Sequence, residues 1–119
     1  FLERKDNKLI LNEFELAELN DLFAIIRLSF QDAFEAYFNQ DKDKARAVVD
    51  REDEIDKMVK DNRINHINRI NNPKIENTSS GYYVDILSNL ERIADHLENI
   101  ALNTINESFA YHQQELIKD

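Results

Sequence analysis

Glycine and proline each occur once in 119 residues, and this scarcity restricts the folds that the chain can adopt. β-Sandwiches and α/β domains need many tight turns, and those turns draw heavily on glycine and proline. Helix interiors need neither residue, since both are unfavourable there. The sequence therefore predicts an all-α fold with few chain reversals.

Two polar interruptions divide the chain. Residues 39–44 are polar, and residues 71–81 hold both Pro73 and Gly81, which are typical of a helix end and a turn. Long helices joined by short loops pack against one another as an antiparallel bundle. We therefore predict a single domain over residues 1–119, an antiparallel three-helix bundle with helices over 9–38, 43–71 and 79–117.

The first predicted helix carries more apolar surface than one core contact needs. Its heptad positions are apolar, and further aromatic residues widen the stripe well beyond the roughly 100° of arc that faces a core. Some of these side chains are expected to face outward or toward a partner, and a two-fold homodimer would bury them. The heptad positions are Leu16, Leu19, Phe23, Ile26, Phe30, Ala33 and Tyr37, and the additional residues are Phe14, Leu22, Phe34 and Phe38.

Composition limits the function classes that the chain can serve. It has 15 Lys and Arg against 24 Asp and Glu, a net charge of −9. This field repels a phosphate backbone, so nucleic acid is not expected as a partner, whereas metal ions and basic surfaces are favoured. The sequence has no cysteine, which excludes disulfides, thiolate metal sites and cysteine nucleophiles.

Two pairs of carboxylates are the candidate site. Glu52 and Asp56 are four residues apart, as are Glu91 and Asp95, so each pair points to one face of a helix. In the predicted bundle the two pairs lie at nearly the same height on adjacent helices. Glu52 also occupies a seam position, where a carboxylate is costly unless it is paired or binds a ligand. Four such carboxylates are able to surround a hard metal ion.

Two other interpretations of these residues are a solvated helix surface, which stays open, and a di-iron centre. Acidic residues at this spacing are common on solvated helix surfaces, and a ferritin-like di-iron centre would need Glu three residues before His. No histidine here has that neighbour, so redox di-iron chemistry is disfavoured. We expect His66, on the inner seam of the second helix, to form a hydrogen bond with a carboxylate near the height of Asp85.

The stretch from Asn89 to Ala101 resembles the signature helix of PhoU-like domains, a Leu-Glu-Arg-Ile-Gly-Asp-His-x-x-Asn-Ile-Ala run. The stretch Glu52-Asp53-Glu54-Ile55-Asp56 resembles the other acidic motif of that family. Arg63-x-x-His66-x-x-Arg69, followed by Gly81-Tyr82-Tyr83-Val84-Asp85-Ile86-Leu87, is similar to the cytoplasmic C-terminal PhoU-like domain of bacterial Na+/phosphate cotransporter family proteins.

This resemblance implies a regulatory domain that acts by contact and is not an enzyme. Its partner would be a membrane transporter domain of the same polypeptide, on the cytoplasmic side of the inner membrane. It also implies bound iron or zinc ions, and the matching ligand positions are Glu52, Asp56, Glu91 and Asp95, with Asp53 and His96 nearby. A carboxylate-bridged metal-dependent enzyme or metal-storage bundle, and a ligand-free helical interaction module, remain as alternatives.

Overall fold

The structure, a computed structural model, describes residues 11–74 and 81–118, with side chains through residue 106. Its regular elements are three helices: α1 (Glu13–Asn39), α2 (Lys42–Ile70) and α3 (Tyr82–Lys118). No strand occurs in these described ranges, so the predicted all-α three-helix bundle is confirmed. The predicted helix starts at residues 9 and 79 lie outside the described residues.

Local hydrogen bonds explain where α1 and α2 begin. Asn12 caps α1 because its Oδ1 accepts from the N–H of Glu15 at 2.8 Å, while Glu15 Oε1 accepts from the N–H of Asn12 at 3.0 Å. This reciprocal capping box satisfies two N–H groups at the helix start. Asp41 caps α2 by accepting from the N–H of Lys44. Gln40 and Asp41 alone separate α1 from α2.

Ion pairs show that neighbouring helices run antiparallel. Along α1 the partners from α2 occur in reverse order, as expected for two helices joined by a tight turn. On α3, Glu91 pairs with Arg63 of α2, and Asp95 lies near Glu52. The pairs between α1 and α2 are Glu18 with Arg69, Asp32 with Arg51, and Glu35 with Lys44.

All three helices contribute to one apolar core, and each packs against both others. Only part of the predicted seam of α1 belongs to it: Leu19, Ile26 and Ala33 are buried, whereas the alternate heptad positions are 43–51% exposed. Residues seven positions apart lie in one narrow row along a helix. The row formed by these alternate positions lies on a flank of α1, next to the row that faces the core. The expectation that some apolar residues of α1 face outward is thereby confirmed. The exposed row is Leu16, Phe23, Phe30 and Tyr37.

A membrane span would need a helix that is both long and strongly apolar. None of the helices in the described part of the chain meets that requirement.

Candidate metal centre on the α2–α3 face

Antiparallel packing of α2 and α3 brings three carboxylates together on one side of the bundle. Glu52 comes from α2, and Asp95 and Glu98 come from successive turns of α3. One oxygen from each lies within 4.8 Å of the other two. We call Glu52, Asp95 and Glu98 the carboxylate cluster. It is the one group of this kind among the described side chains.

Glu52 is the buried member of the cluster, with 4% of its surface exposed. It lies between Val48 and Ile55 on the buried face of α2, as the seam position predicted. Its Oε2 atom is buried and has no hydrogen-bond partner among the described residues. A buried carboxylate oxygen in this state costs free energy, so it needs either a proton or a positive ion.

Burial and crowded negative charge make the cluster hard to ionise fully. Burial is the largest cause that raises the pKa of Glu52, to about 9, and a hydrogen bond with Asp95 and the charges of Asp56 and Glu98 add to it. The pKa of Glu98 is also raised, first by burial and then by Asp95, Asp56 and Asp53. At neutral pH, Glu52 therefore holds a proton unless a cation takes its place.

The donor atoms of the cluster suit an oxygen-preferring ion. Carboxylate oxygens are the usual ligands of Mg²⁺, Mn²⁺ and Ca²⁺, and they also bind iron. Zinc in proteins draws more often on histidine and cysteine. Asp95 is exposed and Glu98 is partly exposed, so an ion here would keep an open side for water or for a further ligand.

The predicted ligands divide between the cluster and its surroundings. Glu52 and Asp95 belong to the cluster. Glu91 is half-buried and its Oε1 lies 3.2 Å from a guanidinium nitrogen of Arg63, so this carboxylate already has a cationic partner.

The remaining predicted ligands are exposed. Asp56 and Asp53 lie outside the cluster and act on it through their charge. His96 is exposed and contributes no atom to the cluster.

Glu98 is the member of the cluster that sequence reasoning missed. It follows Asp95 by three residues and Glu91 by seven, and both spacings place it on the same face of α3. The sequence contains that periodicity, but the Glu-x-x-x-Asp pattern covers a single turn of α3 and stops before Glu98.

A groove of about 380 Å³ lies one helical turn from the cluster, since its lining residues Asp56 and Glu91 are four residues from Glu52 and Asp95. Arg63 bridges its two walls, since one guanidinium nitrogen donates to Ser88 Oγ at 3.0 Å and to Glu91 Oε1 at 3.2 Å. Ile64 and Ile67 are 50% and 55% exposed. We call this feature the α2–α3 groove; its lining residues are Asp56, Lys60, Arg63, Ile64, Ile67 and Glu91.

A second polar cluster joins all three helices where α1 begins. Glu18 of α1 accepts two hydrogen bonds from Arg69 of α2, at 2.9 and 3.1 Å, and a third from the hydroxyl of Tyr83 on α3. Burial and the bond to Glu18 raise the pKa of Tyr83. Burial acts to raise the pKa of Glu18, but the hydrogen bonds from Arg69 and Tyr83 outweigh it and the pKa is lowered. We call Glu18, Arg69 and Tyr83 the end network.

His66 extends the end network into the core. Its ring is buried, with its centroid 5.0 Å from that of Tyr83. Its Nδ1 lies 3.5 Å from Oε2 of the buried Glu15, a contact longer than a hydrogen bond. The carboxylate beside His66 is thus Glu15 of α1, whereas Asp85 of α3 is exposed.

Comparison with known proteins agrees with this architecture. The family profile described as the PhoU domain matches residues 19–104, which include the cluster, the groove and most of all three helices. The chain is 31% identical over 103 residues to the phosphate-specific transport system accessory protein PhoU homolog 1 of Thermotoga maritima. The match covers 87% of this chain and 44% of that relative. No solved structure matches the chain.

Proposed function

Because this chain belongs to the PhoU family, we propose that it is a regulatory domain that restrains phosphate transport by direct contact with a membrane transporter. The family is linked to the regulation of phosphate transport, and its members are regulatory proteins. The observation that carries the proposal is the match over residues 19–104, since it takes in all of α2 and most of α1 and α3. The chain spans less than half the length of its T. maritima relative, so the other half of that relative has no counterpart in this comparison.

We further propose that the partner is a membrane domain of the same polypeptide, of the Na+/phosphate cotransporter type, and that the bundle lies on its cytoplasmic side. The support comes from two stretches, Arg63 to Arg69 and Gly81 to Leu87. They resemble that type of transporter more specifically than the other motifs of the sequence do. Arg69 and Tyr83 from these two stretches meet at Glu18. Both stretches thus stabilise one end of the bundle.

Metal binding at the carboxylate cluster is the second part of the proposal. The unpartnered Oε2 of Glu52 and the two carboxylates beside it favour a hard ion such as iron. A bound ion would tie α2 to α3 and would adjust the surface that the partner contacts. Because the cluster lies at the side of the bundle with Asp95 exposed, a regulatory ion accounts for it better than a buried storage site.

Phosphate uptake by cells tests the regulatory role. Deletion of residues 11–106 from the native gene should raise the uptake of radiolabelled phosphate in cells grown with excess phosphate, because the restraint is removed. Re-expression of the intact gene should restore the lower uptake. Equal uptake with and without the domain would contradict the proposal.

A further inference from the structure

The α2–α3 groove and the carboxylate cluster lie on neighbouring turns of α2 and α3, and their chemistry differs. From Ile67 back to Glu52 along α2, the surface passes from apolar side chains through the basic Arg63 and Lys60 to acidic side chains. These residues span about 22 Å at about 1.5 Å per helical residue. This length matches a helical segment of about 15 residues.

The apolar end has side chains available for contact. Ile64 and Ile67 line the groove and are about half exposed. Ile70 follows Ile67 by three residues and is 45% exposed, so the apolar strip extends by one more turn of α2. Val84 precedes Ser88 by four residues and adds an exposed apolar side chain from α3.

The acidic end has carboxylates that lack cations. Glu91 has Arg63, but no ion pair between described residues involves Glu52, Asp95 or Glu98. One carboxylate oxygen of Glu52 lies within this group, and the buried Oε2 of Glu52 has no hydrogen-bond partner among the described residues. The site is therefore complementary to a cationic group that arrives from outside the bundle.

We propose that the α2–α3 groove and the carboxylate cluster together dock a basic amphipathic segment from the cytoplasmic side of a membrane protein, with its apolar residues on Ile64 and Ile67 and an Arg or Lys among Glu52, Asp95 and Glu98. This proposal rests on the proposed function, because it specifies where the transporter contact lies. Helix-in-groove binding relies on such an apolar strip, and charge complementarity selects the partner.

The membrane partner supplies the expected chemistry. Cytoplasmic segments next to membrane spans carry an excess of Lys and Arg, and their sequences pass from apolar to basic over a short distance. The net charge of −9 on this chain would attract such a segment. In the docked state, Lys60 lies between the apolar and acidic ends, so the middle of the segment should be polar or acidic and not basic.

A synthetic peptide tests the docking surface. The probe is a fluorescein-labelled peptide of about 15 residues, with leucines in its first half and four arginines in its second half, and the control peptide has the same composition with the arginines spread evenly. Fluorescence anisotropy is measured with the full 119-residue chain in EDTA. We expect at least about tenfold tighter binding of the first peptide, because only it matches both ends of the groove.

Paired variants test the location. The double variant Asp56→Asn with Glu98→Gln should weaken peptide binding about tenfold. The control is Asp50→Asn with Glu54→Gln, which makes the same change in net charge on the other flank of α2. This control should weaken binding less than about threefold. Ile64→Ser with Ile67→Ser should also weaken binding, and Ile93→Ser, an exposed site on the other flank of α3, should not.

Equal binding of the two peptides, or equal effects of the groove variants and their controls, would overturn the docking proposal. If those results occurred while deletion of the domain still raised phosphate uptake, the groove assignment alone would fail. If deletion left uptake unchanged, the regulatory function would fail whatever the peptide does.

Discussion

Glu52 couples the stability of the fold to pH at the scale of a single residue. Its pKa is 4.5 as a free side chain and about 9 in the folded protein, chiefly because the carboxyl is buried. Between these values the folded state holds more protons than the unfolded chain. The contribution of Glu52 to the free energy of unfolding is therefore fully present below about pH 4.5 and is lost as the pH rises through about 9.

Glu52→Gln should remove this part of the pH dependence, because the amide imitates the protonated carboxyl. We expect the variant to exceed the wild type in unfolding free energy by roughly 1–2 kcal/mol at about pH 8, and by little at about pH 5. Urea unfolding in EDTA at several pH values measures it. Glu54→Gln, at an exposed neighbouring site, is the control; equal pH slopes in Glu52→Gln and the wild type would contradict the raised pKa.

A metal-binding experiment tests whether Glu98 or Glu91 is the ligand that accompanies Glu52 and Asp95. Saturating Mn²⁺ should raise the melting temperature of the wild type, since an ion at about 100 times its dissociation constant adds about 2.7 kcal/mol to the folded state. Asp95→Asn with Glu98→Gln should abolish the rise. Asp53→Asn with Glu91→Gln makes the same change in net charge and should preserve it, because Glu91 is engaged with Arg63.

Differential scanning calorimetry with and without Mn²⁺ decides this, together with elemental analysis of the purified protein. If the control variant loses the rise as well as the cluster variant, Glu91 is a ligand and the set predicted from Glu-x-x-x-Asp spacing, which shares Asp95 with the cluster, is the better one. If the melting temperature of the wild type does not rise, the carboxylate cluster does not bind the ion, and Glu52 is neutralised by a proton instead.

At the scale of the helices, the end network stabilises the packing of α1, α2 and α3. Arg69→Met leaves Glu18 without its cation in a partly buried position and should lower the free energy of unfolding by roughly 2–3 kcal/mol. Glu18→Gln combined with Arg69→Met should cost less than the sum of the two single changes, with a coupling of about 1–2 kcal/mol. Urea unfolding of the four proteins measures the coupling; strict additivity would show that the network contributes nothing as a unit.

Sequence patterns identified the helices well and their side-chain partners less well. The helices follow from polar interruptions and apolar spacing, which are local properties of the chain. The seam position of Glu52 was visible for the same reason. The partner of His66 was not, because Glu15 lies 51 positions away in the sequence and reaches it only through packing of α1 on α2.

The carboxylates of the candidate metal site show the same limit of prediction from short sequence patterns. A motif places carboxylates on one face of one helix, but the rotation of α3 against α2 decides which of them meet Glu52. That rotation brings Asp95 and Glu98 to it and leaves Glu91 to Arg63. It depends on the packing of the whole core, which no short pattern contains.

At the scale of the whole molecule, the exposed row on α1 predicts self-association. More than 40% of the surface of each side chain in this row is exposed: Leu16, Phe23, Phe30 and Tyr37. Phe38, which follows Tyr37 near the end of α1, is 74% exposed. A two-fold contact through this row would bury the aromatic side chains and leave the groove on α2 and α3 free.

Light scattering should therefore give a mass near twice the 14.1 kDa of the chain. Phe23→Glu with Phe30→Glu should return the protein to one chain, whereas Leu28→Glu, an exposed apolar site on another face of α1, should not. A wild type that stays at 14.1 kDa at high concentration would reject the homodimer.

The two-residue connection between α1 and α2 has a consequence for the order in which the chain folds. Gln40 and Asp41 hold the ends of both helices, so the contacts of Asp32 with Arg51 and of Glu35 with Lys44 close only short loops. Short loops cost little entropy to close, and proteins rich in such local contacts reach their transition states quickly. We expect α1 and α2 to form a helical hairpin early, onto which α3 docks later and completes the carboxylate cluster.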